Sequence, residues 1–554
     1  MTSLARRRIL QISVEVLAVI VVVSAAVIAL ARIVEGPWLS LLHYNGDSLV
    51  LVLVEQSLHR GEPLDWVFSS QVFLFPEGLL YAISSLFTDA PRLALTINAI
   101  VNLGVLYGLL RASAEVQRRR VDAPIWVAPL VATAATLMFV LFMVGEPFAS
   151  PNRSGTATPF LFTTYYSGAT MSTLALLVIS IWAIDRKIGE SPSRRRLALY
   201  AVAVISIGGL TAFANPLVLV FWTAPFLVTL VILVFLARMT WREFAVFGGI
   251  AVAAAAVGLG VRALVPNFFA AGVGKYLALS QVGETVRNLW YALQETLSTP
   301  AGVVKLVVIT ALVLIFAWRA IAALYAAARP ALASRMVTSD VALAVFLTVS
   351  AVSLIVGHVL VGSNTTRYLQ PLVVLPLVGF VALLQPALER VTIRRAGRIA
   401  VAAVAIATGI ASIVAGAWAS VPVIAASAAN GAPLSACVQR FLDTSRASGV
   451  ASFWVARPIQ AYSDADGELV QVSPELGVYP WMNNLADYRE HEFEYVIVDG
   501  GPDLPRDRVI DLLGQPAATI DCAPYTILDY RGTDGAQLLT DRIGDSLATF
   551  ERSR

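Results

Sequence analysis

Long apolar runs alternating with short polar loops set the pattern of the first 418 positions. A helical run of about 18 or more apolar residues crosses roughly 30 Å of hydrocarbon. Eleven runs read as spans: 9–31, 92–112, 124–145, 165–184, 198–213, 215–237, 244–262, 301–324, 341–362, 368–385 and 399–418. The two flanking Asn215-Pro216 also read as one proline-broken helix. Between the first two runs lies a long loop, 32–91, whose second half, "WVFSSQVFLFPEGLLYAISSLF", is apolar, aromatic and interrupted by proline. It predicts one or two helices lying in the membrane interface, anchored by Trp66, Phe73, Phe75 and Tyr81. A twelfth span here would invert every later loop.

Near residue 419 the pattern changes. A small-residue stretch, "SVPVIAASAANGAP", reads as a linker over 419–432, and 433–554 carries charges and turn signals at soluble-protein density. "GVASFWVA", "FEYVIVDGG" and "APYTILDYRG" predict buried strands, hence a small α/β domain after an all-α membrane domain.

Composition agrees: 57% of residues are hydrophobic and 14% charged, and mean hydropathy is +0.73, far above a soluble chain of this length. The net charge is +3, with no basic face for nucleic acid. The cations cluster at Arg6–Arg8, Arg118–Arg120, Arg186, Lys187 and Arg194–Arg196, Arg238 and Arg242, Arg329 and Arg335, and Arg394, Arg395 and Arg398. Basic loops stay in the cytoplasm. The N-terminus is therefore expected inside, and the loop 32–91 and the C-terminal domain outside. In an oxidising compartment the chain's two cysteines, Cys437 and Cys522, are expected to pair.

Polar chemistry concentrates just beyond the first span. "LLHYNGDSLVLVLVEQSLHRGEPLDW", residues 41–66, holds His43, Asp47, Glu55, His59, Arg60, Glu62 and Asp65. This arrangement resembles the polytopic GT-C glycosyltransferases, in which an Asp early in the first external loop lies at the active site; the matching position is Asp47 in "YNGDSL". A second likeness is "SNTTRYLQPLVVLPL", residues 363–377, similar to the segment where a late external loop of such enzymes re-enters the membrane. Many relatives carry a tandem Asp-Glu, whereas Ser48 follows Asp47, and the nearest glutamate is Glu55. The resemblance implies transfer of a sugar from a polyprenyl-phosphate donor to a glycan, lipid or protein acceptor.

That chemistry needs a carboxylate to take the acceptor's proton, cations or donors for the departing phosphate, and an apolar groove for the isoprenoid chain. Asp47 is the expected base, its carboxyl raised by burial, with Glu55 as second carboxylate. Arg367, Tyr368, Arg60, His59 and Lys275 are candidates for the phosphate, as are Arg153 and Arg287; His43 and Trp481 are candidates for the acceptor, Trp481 within an aromatic set of Trp454, Tyr462, Tyr479 and Tyr488. A divalent metal is left open as a cofactor. Each residue also has a plainer reading: Asp47 as a cap for the helix starting at Leu49, Arg367 as a snorkelling anchor, the histidines as solvated, and Glu77 and Glu146 as loop-surface residues. The rival function is a transporter or flippase, which needs charged or broken helices near the midplane. Lys305 and His358, near helix ends, offer little of that.

Overall fold

The computed structural model describes residues 3–553 apart from 119–123, 149, 151–154, 186–192, 271–277, 328, 330–336, 393, 430–435, 464–466 and 490. The helices before the C-terminal module are α1 (Ser3–Val34), α2 (Val50–Arg60), α3 (Leu79–Ser85), α4 (Pro91–Val116), α5 (Val127–Val144), α6 (Ser167–Ile184), α7 (Arg194–Ala214), α8 (Ala224–Phe235), α9 (Trp241–Leu264), α10 (Val282–Leu297), α11 (Pro300–Ala327), α12 (Thr338–Val361), α13 (Pro371–Val391) and α14 (Arg395–Ala428). Ten helices among the described residues are long and apolar enough to cross a membrane, and the apolar helix Leu219–Phe235, which includes α8, is shorter. Every run read as a span is helical. The chain breaks at Asn215, which is extended (φ −146°, ψ 99°) and whose side chain accepts from Leu217 N, so α7 and α8 are two helices and not one kinked one.

Local chemistry sets the ends that matter for the site. Gly362, in the left-handed region at φ +70°, stops α12, and Pro371 starts α13 at a position where its missing N–H costs nothing. The short turn Thr366–Leu369 between them carries Arg367. α14 runs on to Ala428, through most of the segment read as a linker; 430–435 lie outside the described residues.

The C-terminal module has a five-stranded sheet in the order β3-β2-β5-β7-β6: β2 (Ser448–Ala451), β3 (Leu469–Gln471), β5 (Phe493–Val498), β6 (Ala518–Cys522) and β7 (Tyr525–Asp529). β2 pairs in parallel with β3 and β5; β5–β7 and β7–β6 are antiparallel. Around it lie α15 (Ala436–Ser445), α16 (Phe453–Tyr462), α17 (Arg506–Leu513) and α18 (Asp534–Ser553). The strand expected over "GVASFWVA" ends at Ala451; Phe453 onward is α16, the helical crossover that a parallel β2–β3 pair requires. Cys437 and Cys522 form a disulfide, Cα–Cα 5.4 Å, closing a separation of 85 residues.

The module is stitched to the first loop. β1 (Trp66–Val67) pairs antiparallel with β4 (Asn483–Asn484), and Leu485 N donates to Asp65 O at 3.0 Å. Asp65 takes Arg489 at 2.5 Å. Trp66, Phe73 and Tyr81 are therefore buried in a cluster that also holds Phe453 and Met482 of the module. Three of the four expected interfacial anchors are core: Trp66 lies on the strand paired with the module, Phe73 packs on Tyr166 and Tyr81 donates to Glu55, while Phe75 is half-buried. The apolar face that loop 32–91 leaves exposed belongs to Leu79, Ile83, Leu86 and Phe87.

Candidate active site

Asp47 and Arg367 meet at the mouth of the bundle, Oδ2 to Nη2 3.6 Å apart, with side chains 15% and 16% exposed. Asp47 does not cap α2. The cap position is Leu49 and makes no side-chain cap, while Asn45 Oδ1 accepts from Asp47 N at 3.0 Å, holding the turn and leaving the Asp47 carboxylate turned to Arg367. Burial pushes the Asp47 carboxyl above its usual range, against the opposing pull of Arg367.

The segment Thr163–Tyr166, just before α6, frames this pair. Thr164 Oγ1 donates to Asp47 O at 2.7 Å and Thr163 Oγ1 to Ser48 O at 2.7 Å. The Arg367 guanidinium lies 4.8 Å from the Tyr165 ring centre and 5.6 Å from that of Tyr166, within cation–π reach. Tyr166 and Tyr368 hydroxyls are 3.0 Å apart. Burial raises both phenols of the frame, Tyr165 and Tyr166, so they stay protonated donors. Thr164 (φ 61°), Tyr166 (φ 68°) and Phe73 (φ 57°) all occupy the left-handed region. Each costs of order 1–2 kcal/mol for a residue with a Cβ. Such strain concentrates where a site is held rigidly.

Glu77 lies behind the frame. It is 4% exposed, and its Oε1 accepts from Gly168 N at 3.0 Å, on the first turn of α6, where the helix dipole favours an anion. Burial nevertheless raises its carboxyl to about 7. Glu77 was read as loop surface; it is a buried helix-terminus ligand instead. The same correction applies to Glu146, which accepts from the backbone N–H groups of Thr156, Ala157 and Thr158 and pairs with Lys305. These donors hold its carboxyl below the usual range despite burial.

The C-terminal module roofs the site. A Cβ on Gly46 would lie 2.6 Å from the Phe453 ring, so only glycine lets the residue before Asp47 pass under α16. Phe453 in turn packs edge-on against Trp454 (4.7 Å) and Tyr479 (6.2 Å), and both of these are exposed. Tyr462 OH donates to His43 O at 2.5 Å, and Arg92 lies 5.0 Å from each of the Tyr44 and Tyr462 rings.

Of the residues singled out in the sequence, the structure brings Asp47, Arg367 and Tyr368 together. Glu55 instead accepts from Tyr81 OH at 2.9 Å. His43 is fully buried, its Nε2 3.2 Å from Thr96 Oγ1; burial first, then Arg92, lowers it to about 3, so it is a neutral packing residue and not a solvated one. Arg60 is exposed and paired with Glu62; His59 and Arg287 are exposed. Trp481 is half-buried, packed on the cluster beneath the module, and Tyr488 is buried. Lys275 and Arg153 lie outside the described residues. The frame tyrosines, Tyr165 and Tyr166, were missed as site residues: their "TTYYSG" segment borders an apolar run, so hydropathy assigned Tyr165 and Tyr166 to a span. The signal available was a row of hydroxyl side chains at the outer end of a helix.

Among the described residues no group of three or more His, Cys, Asp and Glu has the placement to hold a metal ion. The side-chain partner of Asp47 is the Arg367 guanidinium.

No family model matches the chain, and no curated protein matches it. Among solved structures, it is similar to the Archaeoglobus fulgidus oligosaccharyltransferase in complex with Zn and sulfate, at TM-score 0.41 and 17% identity, over 86% of this chain and 68% of that one. It is also similar to the archaeal oligosaccharyltransferase AglB from Archaeoglobus fulgidus in complex with an inhibitory peptide and a dolichol-phosphate, at TM-score 0.40 and 15% identity, over 88% and 69% of the two chains. Likeness at these scores decides no question of chemistry.

Proposed function

We propose that this chain is a membrane glycosyltransferase of the GT-C type, moving a sugar from a polyprenyl-phosphate donor to a cell-envelope acceptor hydroxyl with inversion. The observation that carries the reading is the Asp47–Arg367 pair: a carboxylate raised by burial and a guanidinium, side by side at the bundle mouth among protonated phenols. In the reaction the acceptor oxygen bonds to the anomeric carbon as the bond from that carbon to the phosphate oxygen breaks. Asp47 takes the acceptor proton. Arg367 holds the departing phosphate, and the hydroxyls of Tyr166 and Tyr368 are further donors to it. Phosphate leaves readily, so no strong general acid is needed. The lipid tail stays in the bilayer.

The acceptor lies on the module side. Trp454 and Tyr479 present exposed rings packed edge-on against Phe453, the residue that closes over Gly46, and ring faces of that kind stack on sugars. The alternation of basic loops places this surface outside the cytoplasm, with the N-terminus inside.

The test is direct. The purified protein in lipid vesicles is offered a panel of polyprenyl-phosphate-linked pentoses and hexoses with envelope extract as acceptor, and release of polyprenyl phosphate is measured. Release that depends on acceptor and on Asp47 supports the reading. No release from any donor, or equal release by the Asp47→Asn variant, refutes it.

A further inference from the structure

At the end of the bundle remote from Asp47, three spans part. α1 runs from Ser3 towards the Asp47 loop, and α14 runs from Arg395 towards the module, so both begin at the remote end. Nearer the site the two helices touch: a Cβ on Gly416 would lie 2.7 Å from Ser24 Cβ. α1 packs on α5, while α14 towards its N-terminus stands away from α5, leaving between them, over α1 and beside Leu388 of α13, a crevice of about 620 Å³. Its walls include Val14, Leu17, Trp126, Leu137, Ile406 and Ile413. Thr133 also borders it, but its hydroxyl donates to Pro129 O within its own helix. The lining is thus apolar, and its volume falls in the range of about 300–1,000 Å³ typical of ligand sites.

Magnitudes choose the occupant. The crevice follows α14 from Ala400 to Ile413, about 20 Å at 1.5 Å per residue, which is at least one leaflet of a hydrocarbon core roughly 30 Å thick. A single extended acyl chain is thin enough. At the remote end, Arg8 precedes Val14 on α1, while Arg394, Arg395 and Arg398 precede or open the first turn of α14; all four are exposed. Arg398 Nε donates to Thr392 O at 3.2 Å, which fixes its side chain beside that terminus.

The geometry points to a binding site for an anionic phospholipid, one acyl chain in the crevice between α1, α5 and α14 and its phosphate among Arg8, Arg394, Arg395 and Arg398. The site is separate from Asp47 and does not rest on the glycosyltransferase reading.

The experiment uses the full chain in detergent, equilibrated with mixed phosphatidylglycerol and phosphatidylcholine, washed, and analysed for retained lipid by mass spectrometry. The wild type should keep phosphatidylglycerol in excess. Arg394→Gln and Arg395→Gln should each lower that excess roughly fivefold, since a surface arginine contributes on that order to anionic lipid. These are exposed positions, so the fold is retained. Ala134→Leu with Ala405→Leu fills the crevice and should lower retention of both lipids. As a check independent of packing changes, brominated phosphatidylglycerol should quench Trp126, read as the quenching lost in Trp126→Phe. An unchanged lipid ratio in the arginine variants, full retention in the filled variant, or no quenching of Trp126 would each overturn the site.

Discussion

Asp47→Asn separates chemistry from folding, because two opposed energies meet at that carboxylate. At 3.6 Å and an effective dielectric of about 20, attraction to Arg367 is worth about 5 kcal/mol. Taking each ion out of water costs several kcal/mol. The direction of the Asp47 shift says which wins: burial holds the carboxyl above its usual range in spite of Arg367. An acid raised in the folded state contributes stability that is present below its unfolded value of 3.8 and is lost as pH rises through the folded value. Above its folded value the ionised Asp47 is therefore a net burden on the fold. Asparagine removes the charge and keeps an oxygen for Arg367, while Thr164 still bonds the unchanged main chain. The unfolding midpoint at pH 7 should stay level or rise, while turnover drops by about 10² or more as the base is lost. The wild-type rate should also fall on acidification at a pH above the ordinary carboxylate range. Midpoints come from tryptophan fluorescence on heating, and rates from polyprenyl phosphate release. Near-normal turnover in the variant would show that Asp47 is no base. A falling midpoint at pH 7 would show that the pair holds the fold.

Arg367→Ala should weaken donor binding by about 10- to 100-fold, the range for losing a hydrogen bond to a charged group, read as a rise in KM for the donor larger than the fall in kcat. Glu77→Gln should flatten the pH dependence of stability: the raised Glu77 carboxyl favours the fold below 4.5 and loses about 3 kcal/mol as pH climbs through about 7, so the variant should melt higher than wild type at pH 8 and alike at pH 4. Cys437→Ser with Cys522→Ser removes a closure of 85 residues and should cost about 4–5 kcal/mol in the chain-entropy account, seen as a lower midpoint of module unfolding. Trp454→Ala with Tyr479→Ala should raise KM for acceptor and leave that for donor alone; equal change in both would refute a glycan platform.

What the sequence makes legible is what rests on local pattern. Spans follow from hydropathy, and every run read that way is helical. Asp47 and Arg367 stand out in the sequence because each lies at a polar break between apolar runs, and the fold brings them to 3.6 Å although they are 320 positions apart. The cysteine pair followed from compartment and number. Burial by other segments was not legible. Trp66, Phe73 and Tyr81 look like interface anchors until β4 pairs beside Trp66 and one cluster drawn from distant segments, Tyr166, Phe453 and Met482 among them, buries all three. Glu77 and Glu146 look like solvated loop residues until helix-terminal and turn N–H groups, about 90 and 10 residues on, converge on them. Phe453 reads as strand because β-favouring residues surround it, yet the parallel β2–β3 pair needs a helix there.

The module is part of the site and not an appendage to it. Asp47 owes its raised carboxyl first to burial, and what buries the turn around it comes from distant segments: Thr164 on one side, Arg367 on another, and Phe453 of α16 closing over Gly46. The strained residues Thr164 and Tyr166 persist because each is held at more than one point, Thr164 by the Asp47 and Thr163 carbonyls and Tyr166 by the Tyr368 hydroxyl and the Phe73 ring. The module reaches the same loop through Tyr462 at His43 and Asn484 at Asp65. If α16 withdrew, water would reach the Gly46–Asp47 turn and the carboxyl would fall back towards the ordinary carboxylate range, making it a weaker base at neutral pH. The tuning of Asp47 is thus a property of how the two halves of the chain dock, and on the proposed reading an acceptor pressing on Trp454 would bear on the helix that sets it.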